Sequence, residues 1–187
     1  IDGEGVRRGI TCQNEETVES IIDGLVITNG FAYEGGGIYC YFNSSPKIQN
    51  CKVINNYADY TGGGITLAGN SGATILNCEI SDNDCDNRGG GLSCYSSWPF
   101  ISNSTFANNS SGGKGAGICL YSDSNAFITS CLIEGNTTSN SGAGIMCYDN
   151  SDAAIYFCTI RNNHCIGPYE PDGGGIACYK SYPNIYN

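Results

Sequence analysis

The chain has 187 residues, 18 of them acidic and 8 basic, and a formal charge of −10 at pH 7. That balance argues against a nucleic-acid binder, which needs a basic face to release counterions from phosphate, and equally against docking on an anionic membrane surface. No apolar run approaches the ~20 residues of a membrane-spanning helix, and a composition rich in Gly, Asn, Ser and Thr disfavours helix of any kind.

From the N-terminus onward the sequence repeats. Arg8-Gly9-Ile10 is a worn copy of a corner that recurs as Gly35-Gly36-Gly37, Gly62-Gly63-Gly64, Gly89-Gly90-Gly91, Gly115-Ala116-Gly117, Gly142-Ala143-Gly144 and Gly173-Gly174-Gly175. The intervals are 27, 27, 26, 27 and 31 residues, and one apolar residue follows each corner: Ile38, Ile65, Leu92, Ile118, Ile145, Ile176. A second register runs through Ile21, Ile48, Ile75, Ile101, Ile128, Ile155 and Ile185, and a third through Val26, Val53, Ile80, Phe106, Ile133 and Ile160. Three residues after each member of the third stands Asn: Asn29, Asn56, Asn83, Asn109, Asn136, Asn163.

Between the corners, apolar and polar residues alternate over three to five positions, as in Ile38-Tyr39-Cys40 and Cys51-Lys52-Val53. That is the period of a short strand with one buried face. Short strands at a fixed spacing, with no helix between them, predict a coil in which each strand pairs in parallel with its copy one turn later, about 4.8 Å away. Side chains then stack in ladders. Gly lets the corners bend and approach closely, and Asn tolerates a left-handed corner while its amide bonds from coil to coil. Seven Gly-Ile corners leave six intervals, a rod about 29 Å long.

Twelve cysteines would ordinarily read as a disulfide framework. Their registers argue otherwise. Cys12, Cys40, Leu67, Cys94, Leu120, Cys147 and Cys178 share one inward position, and Gly24, Cys51, Cys78, Ser104, Cys131 and Cys158 share another. Cys that alternates with Leu, Gly and Ser behaves as a small buried filler, so the expectation is a ladder of mostly reduced thiols. Cys85 and Cys165 share a turn position three coils apart, about 14 Å, beyond bridging distance. No CxxC occurs and there is one His, which speaks against a Cys/His zinc site.

The Gly-Gly-Gly-Ile corners and the apolar-x-x-Asn segments, Phe106-Ala107-Asn108-Asn109 above all, resemble right-handed parallel β-helix repeat proteins of the pectin-lyase-like type. They are most similar to the repeats of bacterial surface proteins such as the polymorphic outer-membrane protein family. The likeness runs from about Gly9 to Asn187 and adds a right hand to the coil, in keeping with the general preference for right-handed crossovers. The expected fold is therefore an all-β, right-handed parallel β-helix, a solenoid of six to seven coils of roughly 27 residues in one domain spanning 1–187. Both ends cut through a repeat without a cap, so the chain is expected to be an excerpt of a longer protein or a subunit that stacks end to end.

Tyr41, Ala68, Tyr95, Tyr121, Tyr148 and Tyr179 follow the first Cys/Leu ladder and, by alternation, point outward. Such a row suits the apolar faces of sugar rings; the other reading is cross-strand stacking that stiffens the sheet. Asp82, Asp84 and Asp86 lie on alternate residues of a predicted turn, a spacing of hard oxygen ligands that suits Ca²⁺, although Ser93 stands where an EF-hand loop ends in Glu. The other reading there is a solvated acidic turn. Lyases resembling pectate lyase use calcium or a basic residue to neutralise a uronate, with Arg or Lys as base, and Arg88 is the one basic residue adjoining this run. The Gly-His-Gly of β-helix hydrolases is absent, and His164 has no nucleophile arrangement around it. Sequons at Asn43, Asn103, Asn108, Asn109 and Asn136 follow from a composition rich in Asn and Ser. The expected function is an extracellular or cell-surface structural module, a rigid rod whose tyrosine-lined face contacts polysaccharide or a surface partner. The alternative is a fragment of a lyase or glycoside hydrolase acting on acidic polysaccharide through Asp82, Asp84, Asp86 and Arg88.

Overall fold

A computed structural model describes residues 1–168 and 172–187. Among them there are only short strands, two to five residues long, and every ladder is parallel. Four sheets run along the axis. Sheet 1 stacks Ile10–Cys12, Ile38–Cys40, Ile65–Ala68, Leu92–Tyr95, Ile118–Tyr121, Ile145–Tyr148 and Ile176–Tyr179. Sheet 2 stacks Ile21–Asp23, Lys47–Gln49, Thr74–Leu76, Phe100–Ser102, Phe127–Thr129, Ala154–Tyr156 and Asn184–Tyr186. Sheet 3 runs from Val26–Thr28 to Thr159–Arg161, and sheet 4 from Phe31–Glu34 to His164–Cys165. Seven strands in each of the first two sheets make about six turns of a right-handed parallel solenoid.

The predicted ladders are present. Ile48, Ile75, Ile101 and Ile128 of sheet 2 face Val53, Ile80, Phe106 and Ile133 of sheet 3, and all eight side chains are fully buried. Each such side chain contributes ~1.5–3 kcal/mol relative to exposure. In the first coil the register differs by one residue: Ile22 pairs with Ile48 and Ile27 with Val53, while the predicted Ile21 and Val26 pair with Lys47 and Lys52 and are exposed. That turn spans 26 residues rather than 27. Ile21-Ile22 and Val26-Ile27 are adjacent apolar pairs, so alternation alone cannot choose between their members. The same slip places Leu25, not Gly24, opposite Cys51.

The asparagine ladder differs from expectation in two ways. Its members are Asn56, Asn83, Asn109, Asn136 and Asn163, with Gly30 in the first coil; Asn29 lies one position earlier, exposed, and donates to Asp2. The left-handed corner belongs to the preceding residue of each coil: Asn55, Asp82, Asn108, Gly135 and Asn162 carry φ between 53° and 65°. Two neighbouring positions thus divide the work that the sequence suggested for one. The first bends the chain, where Asn, Asp and Gly suffer least. The second turns inward, and the amides of Asn56, Asn83, Asn109 and Asn136 each donate to the carboxamide oxygen of the next coil at 2.9–3.0 Å.

Candidate functional site

Alternation in sheet 1 sends two columns outward. One is the predicted row, with Tyr95, Tyr121, Tyr148 and Tyr179 paired rung to rung and Tyr95 beside Ala68. The other, Thr66, Ser93, Cys119, Met146 and Ala177, attracts no notice in the sequence, yet all five are buried although they point away from the core. They floor a second, external apolar cluster of Cys119, Met146, Tyr148 and Ala177, with Tyr121 against it. Tyrosines wall this trough on one side. On the other the corner column, Thr61, Arg88 and Lys114, bridges the coils.

The tyrosine row is not uniform. Tyr95, Tyr121 and Tyr148 stack with centroids 5.4 and 5.5 Å apart, and Tyr148 is 7% exposed. Stacked rings turn their faces to each other and offer edges and hydroxyls to solvent. A free face occurs where the stack stops at Tyr95, 45% exposed beside Ala68; Tyr179, 57% exposed, stacks on no ring among the described residues, but Lys180 Nζ lies over it, 5.2 Å from its centre. Tyr41, 39% exposed, leans on Tyr39 and on Phe42, and with Phe42, Asn43, Gly69 and Asn70 it lines a cavity of about 260 Å³. Burial raises the pKa of Tyr121 to about 12. Rows of rings also occur outside sheet 1. Phe100, Phe127, Tyr156 and Tyr186 stack along sheet 2, and Phe31–Tyr57 and Tyr33–Tyr60 along sheet 4.

The acidic run occupies a different place from the predicted turn. Asp82 is a left-handed corner, and Asp84–Cys85 is a strand of sheet 4. The three Asp alternate with buried Asn83 and Cys85, so the carboxylates stand in line on the outer face instead of wrapping a loop. Asp86 accepts from the Tyr57 hydroxyl at 2.7 Å, which raises the tyrosine to about 12. Packing around Asp84 raises its carboxyl, and a hydrogen bond with Ser110 offsets part of that. Among the described residues no three His, Cys, Asp or Glu side chains are grouped to hold a metal ion. Arg88 does not turn toward the aspartates. Its guanidinium donates to the Tyr60 hydroxyl at 3.1 Å and lies 5.2 and 5.7 Å from the Tyr121 and Tyr148 ring centres. His164 lies in the last strand of sheet 4. Of the sequon asparagines, Asn43, Asn103 and Asn108 are exposed and Asn109 and Asn136 are fully buried.

All twelve cysteines are unbridged, and the Cys12–Cys40 and Cys147–Cys178 pairs share adjacent rungs as the registers required. Thiol titration in denaturant is expected to count twelve; a count below eight overturns the reduced ladder. In the native protein the order of alkylation is fixed by the environment of each thiol. A hydrogen bond with Cys147 lowers exposed Cys178 to about 7, whereas burial pushes Cys94 and Cys119 up. Cys178 is therefore expected to react on the order of 100-fold faster at neutral pH. Mass spectrometry of peptides from a timed alkylation reads this directly.

Searches of curated proteins and of solved structures returned no match. The family described as "Right handed beta helix region" matches residues 7–113 and 36–187, which together leave out only the first six residues. With parallel pairing in all four sheets, a coil length near 27 residues and an internal asparagine ladder, the chain belongs to the right-handed β-helix family.

Proposed function

We propose that this β-helix is an extracellular or cell-surface module whose sheet 1 face makes contact with polysaccharide. The observation that carries the reading is the break in the ring stack at Ala68. It frees one face of Tyr95 and lies beside the cavity of Tyr41, Phe42, Asn43, Gly69 and Asn70. Exposed ring faces next to amide side chains suit a sugar, whose axial C–H groups pack on the ring while its hydroxyls bond to the amides. The rod supports this use because side chains on parallel rungs keep a fixed spacing, so a linear polymer meets equivalent groups at regular steps.

The test is a glycan array followed by titration of any hit against variants. Tyr41→Ala and Tyr95→Ala are each expected to weaken binding about tenfold or more while the melting temperature stays within a few degrees, since both rings are part-exposed. Tyr148 is a poor choice for this purpose because its ring is buried and its loss would disturb packing. An array with no binding, or binding indifferent to both substitutions, overturns the reading.

A further inference from the structure

The rings on the outer face of sheet 2 are arranged unevenly. Two columns of that face point outward. From the fourth strand on, one column reads Phe100, Phe127, Ala154, Asn184 and the other Ser102, Thr129, Tyr156, Tyr186. Rings thus hold the first column for two rungs and the second column for the next two. Centroid distances of 5.5, 5.3 and 5.3 Å join the four rings into one ridge that crosses the face diagonally. Beside each half of the ridge lies a notch. Ser102 and Thr129 floor one, and Ala154 and Asn184 the other.

Three further observations mark this face as a contact surface. None of its eight outward residues is charged, in a chain whose net charge is −10; Asp152 stands at the rim, two residues before Ala154. Phe100, Phe127, Phe157 and Tyr186 are 40–66% exposed, and at ~150–250 Å² for a whole aromatic side chain their open parts come to about 400 Å². The largest apolar patch of a monomer is of this order and is often functional. Phe157, its ring 6.5 Å from that of Tyr156, sits at a left-handed corner with φ of 51°. The same corner in the other coils holds Gly24, Asn50, Asn77, Asn103 and Ser130. A bulky side chain is disfavoured there and gains no burial, so folding supplies no reason for it.

We infer that this face docks a second copy of the chain, the two solenoids lying side by side with sheet 2 against sheet 2. The pattern is self-complementary, which is what an isologous contact requires. A two-fold axis lying in the face and parallel to the solenoid sets the first column of each copy over the second column of the other. Phe100 and Phe127 then face Ser102 and Thr129 of the second copy, and Tyr156 and Tyr186 face its Ala154 and Asn184. An axis running across the solenoid brings Phe127 over Ala154 and Phe100 over Asn184 instead. Under either rotation every ring meets a small side chain. Charge favours the same occupant: two copies that repel each other overall meet here without opposing carboxylates. The area also fits, since a standard interface takes ~800 Å² from each partner, a little over half of it apolar.

Sedimentation velocity of the full chain over a concentration series is expected to show a monomer–dimer equilibrium that stops at twice 19.7 kDa. Ala154→Arg fills a notch and is expected to weaken dimerisation at least tenfold. Because it makes the chain less negative, charge repulsion cannot account for that loss. Phe127→Ser, which removes the middle of the ridge, is expected to act likewise, and Thr105→Arg on sheet 3 to leave the equilibrium unchanged. An isotope-filtered NOE spectrum of mixed labelled and unlabelled parent chain depends on no variant. Contacts from the Phe127 ring to the Thr129 or the Ala154 methyl group of the other copy uphold the interface and tell the two axes apart. A chain that stays monomeric to millimolar concentration overturns the inference, as does a dimer that lacks these contacts and ignores both substitutions. Species that grow past the dimer and ignore both substitutions place the association at the ends of the solenoid and overturn it too. A monomer whose Phe127 ring resonance shifts on binding a glycan gives the ridge to saccharide contact instead.

Discussion

Replacing Asn109 by alanine is expected to destabilise the solenoid by about 4 kcal/mol, although the substitution removes no apolar surface. Asn109 lies mid-ladder and is fully buried. Its Nδ2 donates to the Ile80 carbonyl and to Asn136 Oδ1, each at 3.0 Å. Its Oδ1 accepts from the backbone N–H and the side chain of Asn83, at 3.1 and 3.0 Å. Alanine breaks all four bonds and leaves partners on the two flanking coils short of a bond, without water to replace it; each orphaned buried group costs ~1–3 kcal/mol. The neighbouring residue makes the control. Asn108 is exposed, has φ of 54° and occupies the position that Gly135 fills one coil later. Asn108→Gly is therefore expected to stay within about 1 kcal/mol of the parent. Urea denaturation compares the two, and hydrogen exchange at the amides of Asn83 and Asn136 shows whether the loss centres on the ladder. An Asn109→Ala variant within 1 kcal/mol of the parent would mean that the ladder follows the coil rather than holding it.

This pair of residues also shows how far the sequence could be read. The period, the parallel stacking and the inward Ile and Cys registers are legible because the coil repeats, so every position is sampled six or seven times. Where one coil departs from the period, legibility fails. Ile21 and Ile22 are both apolar, and a register that skips from 27 to 26 residues leaves no mark on composition. The left-handed corner and the inward amide are adjacent, and Asn55-Asn56 and Asn108-Asn109 are pairs of the same residue type, so the sequence does not say which Asn does which. The outer face is the hardest to read. Alternation correctly turns the tyrosines outward, but it cannot say that three of them close on one another, nor that Arg88 leaves the aspartates for Tyr60, Tyr121 and Tyr148. Those are long side chains choosing among neighbours one or two coils away, and that choice depends on three-dimensional packing.

The glycine triplets yield the second large effect, and their last member is the place where every coil keeps glycine. Arg7-Arg8-Gly9 in the first coil and Gly115-Ala116-Gly117 in the fifth show that other residues take the first and middle places. The third is Gly in every coil: Gly9, Gly37, Gly64, Gly91, Gly117, Gly144 and Gly175. Its cause lies in the neighbouring coil and in the ladder. A Cβ on Gly91 would stand 2.7 Å from the Gly117 carbonyl oxygen and 2.9 Å from Asn109 Nδ2. The first contact is with backbone that cannot move without opening sheet 1, and the second with an amide fixed by its own four bonds. Gly91→Ala is therefore expected to cost about 3 kcal/mol or more, against about 1 kcal/mol in either direction for Ala116→Gly in the middle place. If the glycine is retained partly to clear the amide, the two losses share a cause and cannot add. The double variant Gly91→Ala/Asn109→Ala should then fall short of the sum by about 1 kcal/mol or more. Full additivity in urea denaturation would assign the whole cost to the Gly117 carbonyl and separate the corner from the ladder.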